Sequence, residues 1–473
     1  MTFLFKGGIG MDKENRMEKR FGFPTALAMV VGIVIGSGIF FKAVKVLKLT
    51  GGNMKDAMIV IAAVGCICMV CSLFFAKMGR EYAHCNGLVD YAEATLGKTY
   101  GYLMGWFLAM FYYPIIGATL SYIAASYVSM MFNLEMYGQT TTGIAVFFML
   151  SLSAVNMLAP KLGGKLQVTT TIIKLIPLVL MSVVGLAVGI INGNSIEALK
   201  TISEVSTSSG NGIFAGICAF AFSYEGWISA TAINSELKNP KRDLPLALII
   251  GSIFCTVLYM SYVFSMTATL SVDEIMAAGD LLPVIAFGNV FGNFVASIIL
   301  VFIIISCLGT ANGMIMCTLR GLYALSVRNM GPKPEVLSEV DKSTGMPLKC
   351  SIIGIGLMGF WLFQTSTLFF QGPSAFNGTG NPEWLLAWEA DEICIITLYA
   401  MYIPMFIHIM IHNKDFNVLY RFILPLLSTI SSLFMCYSSY ISYGKQILYY
   451  LIFYAAVMGI GLYFMYPKGR RSE

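Results

Sequence analysis

A chain of 473 residues that is 57% hydrophobic and 12% charged is not an ordinary soluble protein, for which the charged share is about 25%. Its mean hydropathy of +0.76 predicts a protein that crosses a membrane many times. The formal charge of +5 and the eleven cysteines, most of them inside apolar segments, support no nucleic-acid partner, metal site, cofactor or secreted disulfide framework.

In chain order, apolar runs separated by polar punctuation predict twelve helical spans. They lie near residues 23–47, 56–77, 101–131, 141–158, 167–191, 212–234, 244–269, 289–323, 350–370, 389–411, 422–442 and 447–466. The third and eighth are too long for simple crossings and are expected to tilt or to extend beyond the bilayer. A single transporter-sized unit over 21–466 is expected, with short tails at 1–20 and 467–473. Phe3 to Phe5 is too short an apolar run for a cleavable signal, and Met11 is an alternative start.

The first span contains Val34-Ile-Gly-Ser-Gly-Ile-Phe40 at its centre. Two glycines flanking a serine are poor material for an unbroken helix. Broken backbone at membrane depth is tolerated only where it is buried in protein or lines a cavity. Read this way, Ser37, Gly38 and Ile39 offer amide donors at the start of a second half-helix, where a carboxylate is favoured. The competing reading is that the glycines only permit close helix packing.

Lysine and arginine set the orientation. They crowd one set of connections, from the N-terminal tail through Lys77, Arg80, Lys161, Lys238, Arg320, Arg328 and Lys414 to Arg470 and Arg471. The opposite set is read as holding Lys42, Lys45, Lys48, Lys55, Lys200 and Lys445, with acidic residues that include Glu389 and Asp391. Both termini are therefore expected to be cytoplasmic in a multi-pass plasma-membrane protein. Trp384 and Trp388, in the long connection 371–392, fit either the membrane interface or a cap over an outer vestibule.

The sixth span repeats the interruption in Phe220-Ala-Phe-Ser-Tyr-Glu-Gly-Trp227. Breaks in spans one and six each begin a set of five, and the two sets have opposite starting sides. Paired interrupted segments in inverted halves point to a transporter's binding site near the midplane, and this favours the ligand reading of the first break. A helix N-terminus suits a carboxylate, and unwound carbonyls around Val34 and Phe222 suit an ammonium, which together describe the backbone of an α-amino acid. Phe222 sits where a ring closes over such a ligand, although a core aromatic has the same pattern.

Two charges are read as lying inside spans. Glu225 is an ammonium partner, a proton carrier or a structural pin for the break. Lys174 follows Thr169-Thr-Thr-Ile-Ile. In a helix starting near Leu166 it lies about 12 Å along the axis. It either snorkels to the interface or stands between helices, bonded to freed carbonyls of the first span and to Ser306 or Thr310, which are spaced i and i+4 on the eighth span.

The motifs Ile35-Gly-Ser-Gly-Ile-Phe40, Lys174-Leu175, Phe222-Ser-Tyr-Glu-Gly-Trp227 with Asn234 to Pro245, and Gly309-Thr-Ala-Asn-Gly313 with Arg320 occur in order. In these the chain resembles the amino acid–polyamine–organocation superfamily, specifically its L-type amino acid transporter branch, and looks like a bacterial member. The resemblance implies an all-α, twelve-helix, leucine-transporter-like 5+5 inverted repeat with broken helices 1 and 6. It further implies a secondary active transporter, exchanger or proton symporter, of small to medium neutral amino acids. It places the substrate carboxylate on Ser37, Gly38 and Ile39 and the amino group on carbonyls near Val34, Phe222 and Glu225. Phe222 matches the family's gating aromatic, and Tyr259 matches a tyrosine that steadies the occluded site. Lys174 matches a lysine standing where sodium-coupled relatives bind a cation, so sodium dependence is not expected.

Two departures stand out. Residues 132–139 carry no cysteine, so the disulfide-linked glycoprotein partner of animal members is not expected, and a monomer or weak oligomer is. Glu225 falls where animal neutral exchangers have a small residue, and Ser223 beside it leaves side-chain selectivity open. A cationic amino acid or polyamine permease is therefore the alternative substrate reading. A non-transporting amino-acid sensor lacks an output module in such short tails. An enzyme lacks clustered catalytic groups, and no phosphate loop, HExxH or nucleophile elbow occurs. His408 and His412 form an i, i+4 pair without further ligands, and the Glu236–Pro245 stretch reads as a loop capping the seventh span with Asp243 and Pro245 at its start.

Overall fold

The computed structural model describes residues 22–36, 38–81, 87–198, 211–228, 237–370 and 388–465. Among these the chain is built of helices. The principal ones are α1 (Phe23–Val34), α2 (Gly38–Leu49), α3 (Met54–Glu81), α4 (Leu88–Leu96) and α5 (Lys98–Met131). After these come α6 (Gln139–Leu158), α7 (Pro160–Ile191), α8 (Gly212–Tyr224), α9 (Pro240–Ser265), α10 (Leu282–Phe291) and α11 (Asn293–Ser326). The last four are α12 (Leu348–Phe370), α13 (Ala390–His412), α14 (Leu419–Tyr443) and α15 (Lys445–Phe464). Among the described residues, ten helices are long and apolar enough to cross a membrane. The predicted spans absent from that group are the first and sixth, both of which the structure interrupts.

The first interruption follows from its residues. Pro24 in the first turn of α1 fixes a helical φ where its missing N–H is not needed. The helix ends at Ile35, whose ψ of 88° leaves the helical region, and the Gly36 N–H folds back onto the Val34 carbonyl at 2.7 Å. A new helix then starts at Gly38. Each half has 12 residues and is therefore about 18 Å long, too short to cross alone. At the other break α8 stops at Tyr224, Glu225 is extended (φ −73°, ψ 155°), and Gly226 takes a φ of +102° that a side chain would resist.

Several long helices adapt around proline. Wider π turns occupy Leu108–Tyr112 just before Pro114, Met181–Gly185 one turn after Pro177, and Leu419–Ile423 just before Pro425. A proline removes one ladder donor and its ring crowds the preceding turn, and a π turn absorbs both. The expected eighth span divides at Gly292, φ +89°, into α10 and α11 rather than running as one tilted helix from 289. The seventh starts at Pro240, so Asp243 lies in the first turn and Pro245 inside the helix, not at its start.

Packing brings the interrupted pieces together. α1 lies on α9, and α2 lies on α8, while α8 also contacts α3, α13 and α14. α11 packs along α5 and α7. By contrast α14 and α15 leave Leu433, Leu448, Leu451, Ile452 and Ile460 exposed, an apolar belt suited to lipid. Trp388 is buried, with its ring centroid 5.8 Å from Trp361 and 5.1 Å from Tyr450, so it packs into the helices rather than sitting at an interface. Trp384 lies outside the described residues.

Candidate functional site

The two breaks meet at one buried point. The Tyr259 hydroxyl, carried by α9, lies 2.9 Å from the Val34 carbonyl oxygen and 2.8 Å from that of Ser223. Both carbonyls have lost helical partners, so one phenol O–H is shared between the ends of α1 and α8. On the other side, a Cβ added to Gly38 would lie 2.9 Å from Phe222 Cδ1 and 3.0 Å from Ser223 Cα. Only glycine allows α2 to start against α8 this closely. Gly38 and Ile39 are buried and begin α2, where helical N–H groups have no intrahelical acceptor. Ser37 lies outside the described residues. Among the described residues the buried Ser223 hydroxyl has no hydrogen-bond partner, and Phe222 is covered edge-on by Phe41, with centroids 5.4 Å apart.

Removing that shared hydroxyl should matter. Tyr259→Phe removes the side-chain donor of the buried Ser223 carbonyl and leaves Val34 with only the Gly36 N–H, at a cost of about 1–3 kcal/mol. The expected result is a roughly tenfold lower initial uptake rate with an unchanged expression level. Unaltered kinetics would mean that the clamp has no part in function.

Glu225 sits at the end of α8. Tyr112 Oη donates to its Oε1 at 2.8 Å, while Oε2 is buried and has no hydrogen-bond partner among the described residues. The sequence reading missed Tyr112. It closes the π turn of α5, and that extra residue per turn rotates it away from the face that 3.6-residue periodicity assigns. The described residues therefore give Glu225 one fixed oxygen and one open acceptor.

Lys174 is enclosed by protein, 1% exposed, so its ammonium does not snorkel to an interface. Because α7 starts at Pro160 rather than near Leu166, Lys174 is about 21 Å along it, deeper than expected. The face leading to it is wedged between two glycines. Thr171 Cγ2 would be 2.6 Å from a Cβ on Gly32 of α1, and Thr170 Oγ1 2.3 Å from one on Gly309 of α11. Lys174 lies on that same face one turn further on, near the thiols of Cys255 and Cys307. The expected bonds to first-span carbonyls and to an α11 hydroxyl are not made among the described residues. Thr310 instead donates to the Ser306 carbonyl at 3.1 Å and faces Gly36, and the Ser306 hydroxyl is buried without a partner.

The sequence reading placed Lys42, Lys45, Glu389 and Asp391 in outer connections. The structure buries all four. Lys42 Nζ bonds Asp391 Oδ2 at 2.8 Å and Glu392 Oε1 at 2.6 Å. Lys45 bonds Glu392 Oε1 at 2.8 Å and also Glu389, and Tyr443 bonds the second oxygen of Glu392. Two cations and three carboxylates thus tie α2 to the start of α13. The Lys42 Nζ also stands 5.2 Å above the Phe222 ring, which links this network to the break. A second missed group is neutral: Asn312 of α11 donates to the Gly163 carbonyl and to Gln167 of α7, and accepts from Asn156 of α6 at 2.8 Å.

Many apolar helices, with two of the predicted spans interrupted and the interruptions joined at a buried polar point, define a multi-pass membrane protein. The chain belongs to the amino acid permease family, whose model matches residues 21–463, and within the amino acid–polyamine–organocation superfamily it falls in the L-type transporter-like branch. It is 31% identical to the serine/threonine exchanger SteT of Bacillus subtilis (strain 168), over 85% of each chain. It is 27% identical to the human b(0,+)-type amino acid transporter 1 over 69% of each chain. Against the human cystine/glutamate transporter it is 22% identical, over 74% of this chain and 69% of that one.

Proposed function

We propose that this amino acid transporter is an exchanger of small to medium neutral amino acids, working by alternating access. The observation that carries this reading is the Tyr259 hydroxyl shared between the Val34 and Ser223 carbonyls, since it draws both interruptions to one place. The substrate carboxylate then lies on the amides of Ser37, Gly38 and Ile39 at the positive end of α2. Its ammonium lies at the carbonyls of Val34, Phe222 and Glu225, with Phe222 as the moving lid. Lys174 serves as a fixed cation near Ser306 and Thr310, in place of a sodium ion. The two interrupted segments, added to the ten uninterrupted helices, support a chain of twelve crossings in a 5+5 inverted arrangement, with both termini cytoplasmic in the plasma membrane. Residues 132–139 hold no cysteine, and the transporter is expected to work without a disulfide-linked glycoprotein subunit. The relative named as a serine/threonine exchanger supports exchange over symport.

One observation favours a second reading. The unpartnered Oε2 of Glu225 is a ready acceptor for a cationic side chain, which would extend the substrates to cationic amino acids or polyamines. Uptake by proteoliposomes of radiolabelled serine, alanine, lysine and putrescine separates these. Serine uptake that needs internal amino acid supports the exchanger. Uptake into empty vesicles driven by an inward proton gradient overturns it in favour of a symporter. Preference for lysine or putrescine, lost in Glu225→Gln, selects the second reading. Lys174→Met is expected to reduce exchange at least about tenfold without loss of folded protein, since it removes the cation proposed to stand in for sodium and fills its buried place with an apolar chain.

A further inference from the structure

Pro114 leaves one backbone acceptor of α5 without its helical donor. In an α-helix the carbonyl of residue 110 takes the N–H of residue 114, and proline has none. That carbonyl is nevertheless met from outside the helix. The Trp361 indole N–H, carried by α12, donates to the Met110 carbonyl at 3.0 Å. Trp361 is buried, and its ring centroid lies 5.7 Å from that of Phe111 in the same π turn.

The same turn presents Tyr112, whose hydroxyl holds Oε1 of Glu225 at the second break. One residue of an α-helix rotates the chain by about 100°, so a turn without the extra residue carries Tyr112 to another face. The indole therefore acts at a distance from the break. It meets the carbonyl that Pro114 frees, this keeps the turn wide, and the wide turn aims Tyr112 at Glu225. At membrane depth no water replaces the indole, so without it Met110 finds a donor only if the turn shifts. Tyr112, two residues on, shifts with it.

We propose that Trp361 is a positioning residue for substrate binding: its indole N–H replaces the donor that Pro114 lacks, and so holds the Tyr112–Glu225 contact in place. The inference rests on the amino acid site read between the breaks. It adds to that site a residue of α12 that acts only through α5.

The test is a double-mutant cycle in which serine affinity is read twice, as KM for exchange by proteoliposomes and as Kd for labelled serine in detergent. Trp361→Phe keeps an aromatic ring and removes the N–H. It is expected to raise KM and Kd severalfold, with a maximal rate close to the parent's. A loss of folded protein lowers the maximal rate and leaves KM alone, so this split reports on the site rather than on stability. Tyr112→Phe should raise KM by a similar factor, and Tyr112→Phe/Trp361→Phe no further, because both changes break one contact. Trp361→Phe/Pro114→Ala gives Met110 a backbone donor and lets the ladder close as an ordinary α-helix. It should fold as the parent does yet keep the raised KM, and it serves where Trp361→Phe alone fails to fold. An unchanged KM in Trp361→Phe overturns the proposal, as do effects of Trp361→Phe and Tyr112→Phe that multiply. A parental KM in Trp361→Phe/Pro114→Ala overturns it too, since the indole then only satisfies a carbonyl. Serine binding without uptake counts against the transporter reading alone, and the cycle is then read in Kd. Uptake by the parent with an equal KM in Trp361→Phe counts against the positioning role alone.

Discussion

Gly38→Val is expected to abolish amino acid uptake into proteoliposomes, by on the order of 100-fold or more, while leaving an inserted and monodisperse protein. The reason is local. A Cβ at this position meets Phe222 Cδ1 at 2.9 Å and the backbone Cα of Ser223 at 3.0 Å. A ring can rotate aside, but the Ser223 backbone can yield only by moving the end of α8, and the Tyr259 hydroxyl fastens that end to α1. The two γ-methyls of valine then occupy the space in front of the α2 amides. Gly36 provides the control, because its added Cβ comes no nearer than 3.4 Å to Thr310 Oγ1, an ordinary contact. Gly36→Ala should therefore retain most uptake. Equal behaviour of the two variants, in a counterflow assay on matched amounts of protein, would remove the site from between the breaks.

The residues that made the two interruptions legible were those that cannot continue a helix cheaply. Gly36, Ser37 and Gly38 announced the first, and a carboxylate followed by a glycine, Glu225-Gly226, announced the second. Both readings follow from backbone chemistry, which a sequence carries in full. Which side chains stand opposite each other is decided by helix rotation, and there the sequence carried less. Tyr112 reaches Glu225 only because the π turn before Pro114 adds a residue to one turn of α5, which shifts the facing side chains off the usual periodicity. Lys174 was recognised as internal because it interrupts a long apolar run. Lys42 and Lys45 were not, because they lie toward the polar end of their segment, where the positive-inside rule counts every lysine as belonging to a connection. One sequence signal was available for them. Lys42 and Lys45 are spaced i, i+3, as are Glu389 and Glu392, so two segments each carry a pair of like charges on one face, opposite in sign.

Those matched pairs set up a contrast in stability. Lys42→Met is expected to destabilise the protein by about 3–5 kcal/mol, read as a lowered unfolding midpoint in detergent, because it leaves Asp391 and its share of Glu392 buried without a cation. The network holds two lysines and three carboxylates, so the single change leaves one lysine among three acids that lie within bonding distance of one another's partners. The double variant Lys42→Met/Asp391→Leu removes one charge of each sign. It returns the network to the same formal imbalance and fills the vacated space with apolar atoms, which in buried settings is often neutral or stabilising. Most of the lost stability should therefore return. A single variant as stable as the parent would mean that water reaches these charges and that they do not fasten α2 to α13. A double variant no more stable than the single one would mean that Lys42 matters for the volume it fills, above Phe222, rather than for its charge.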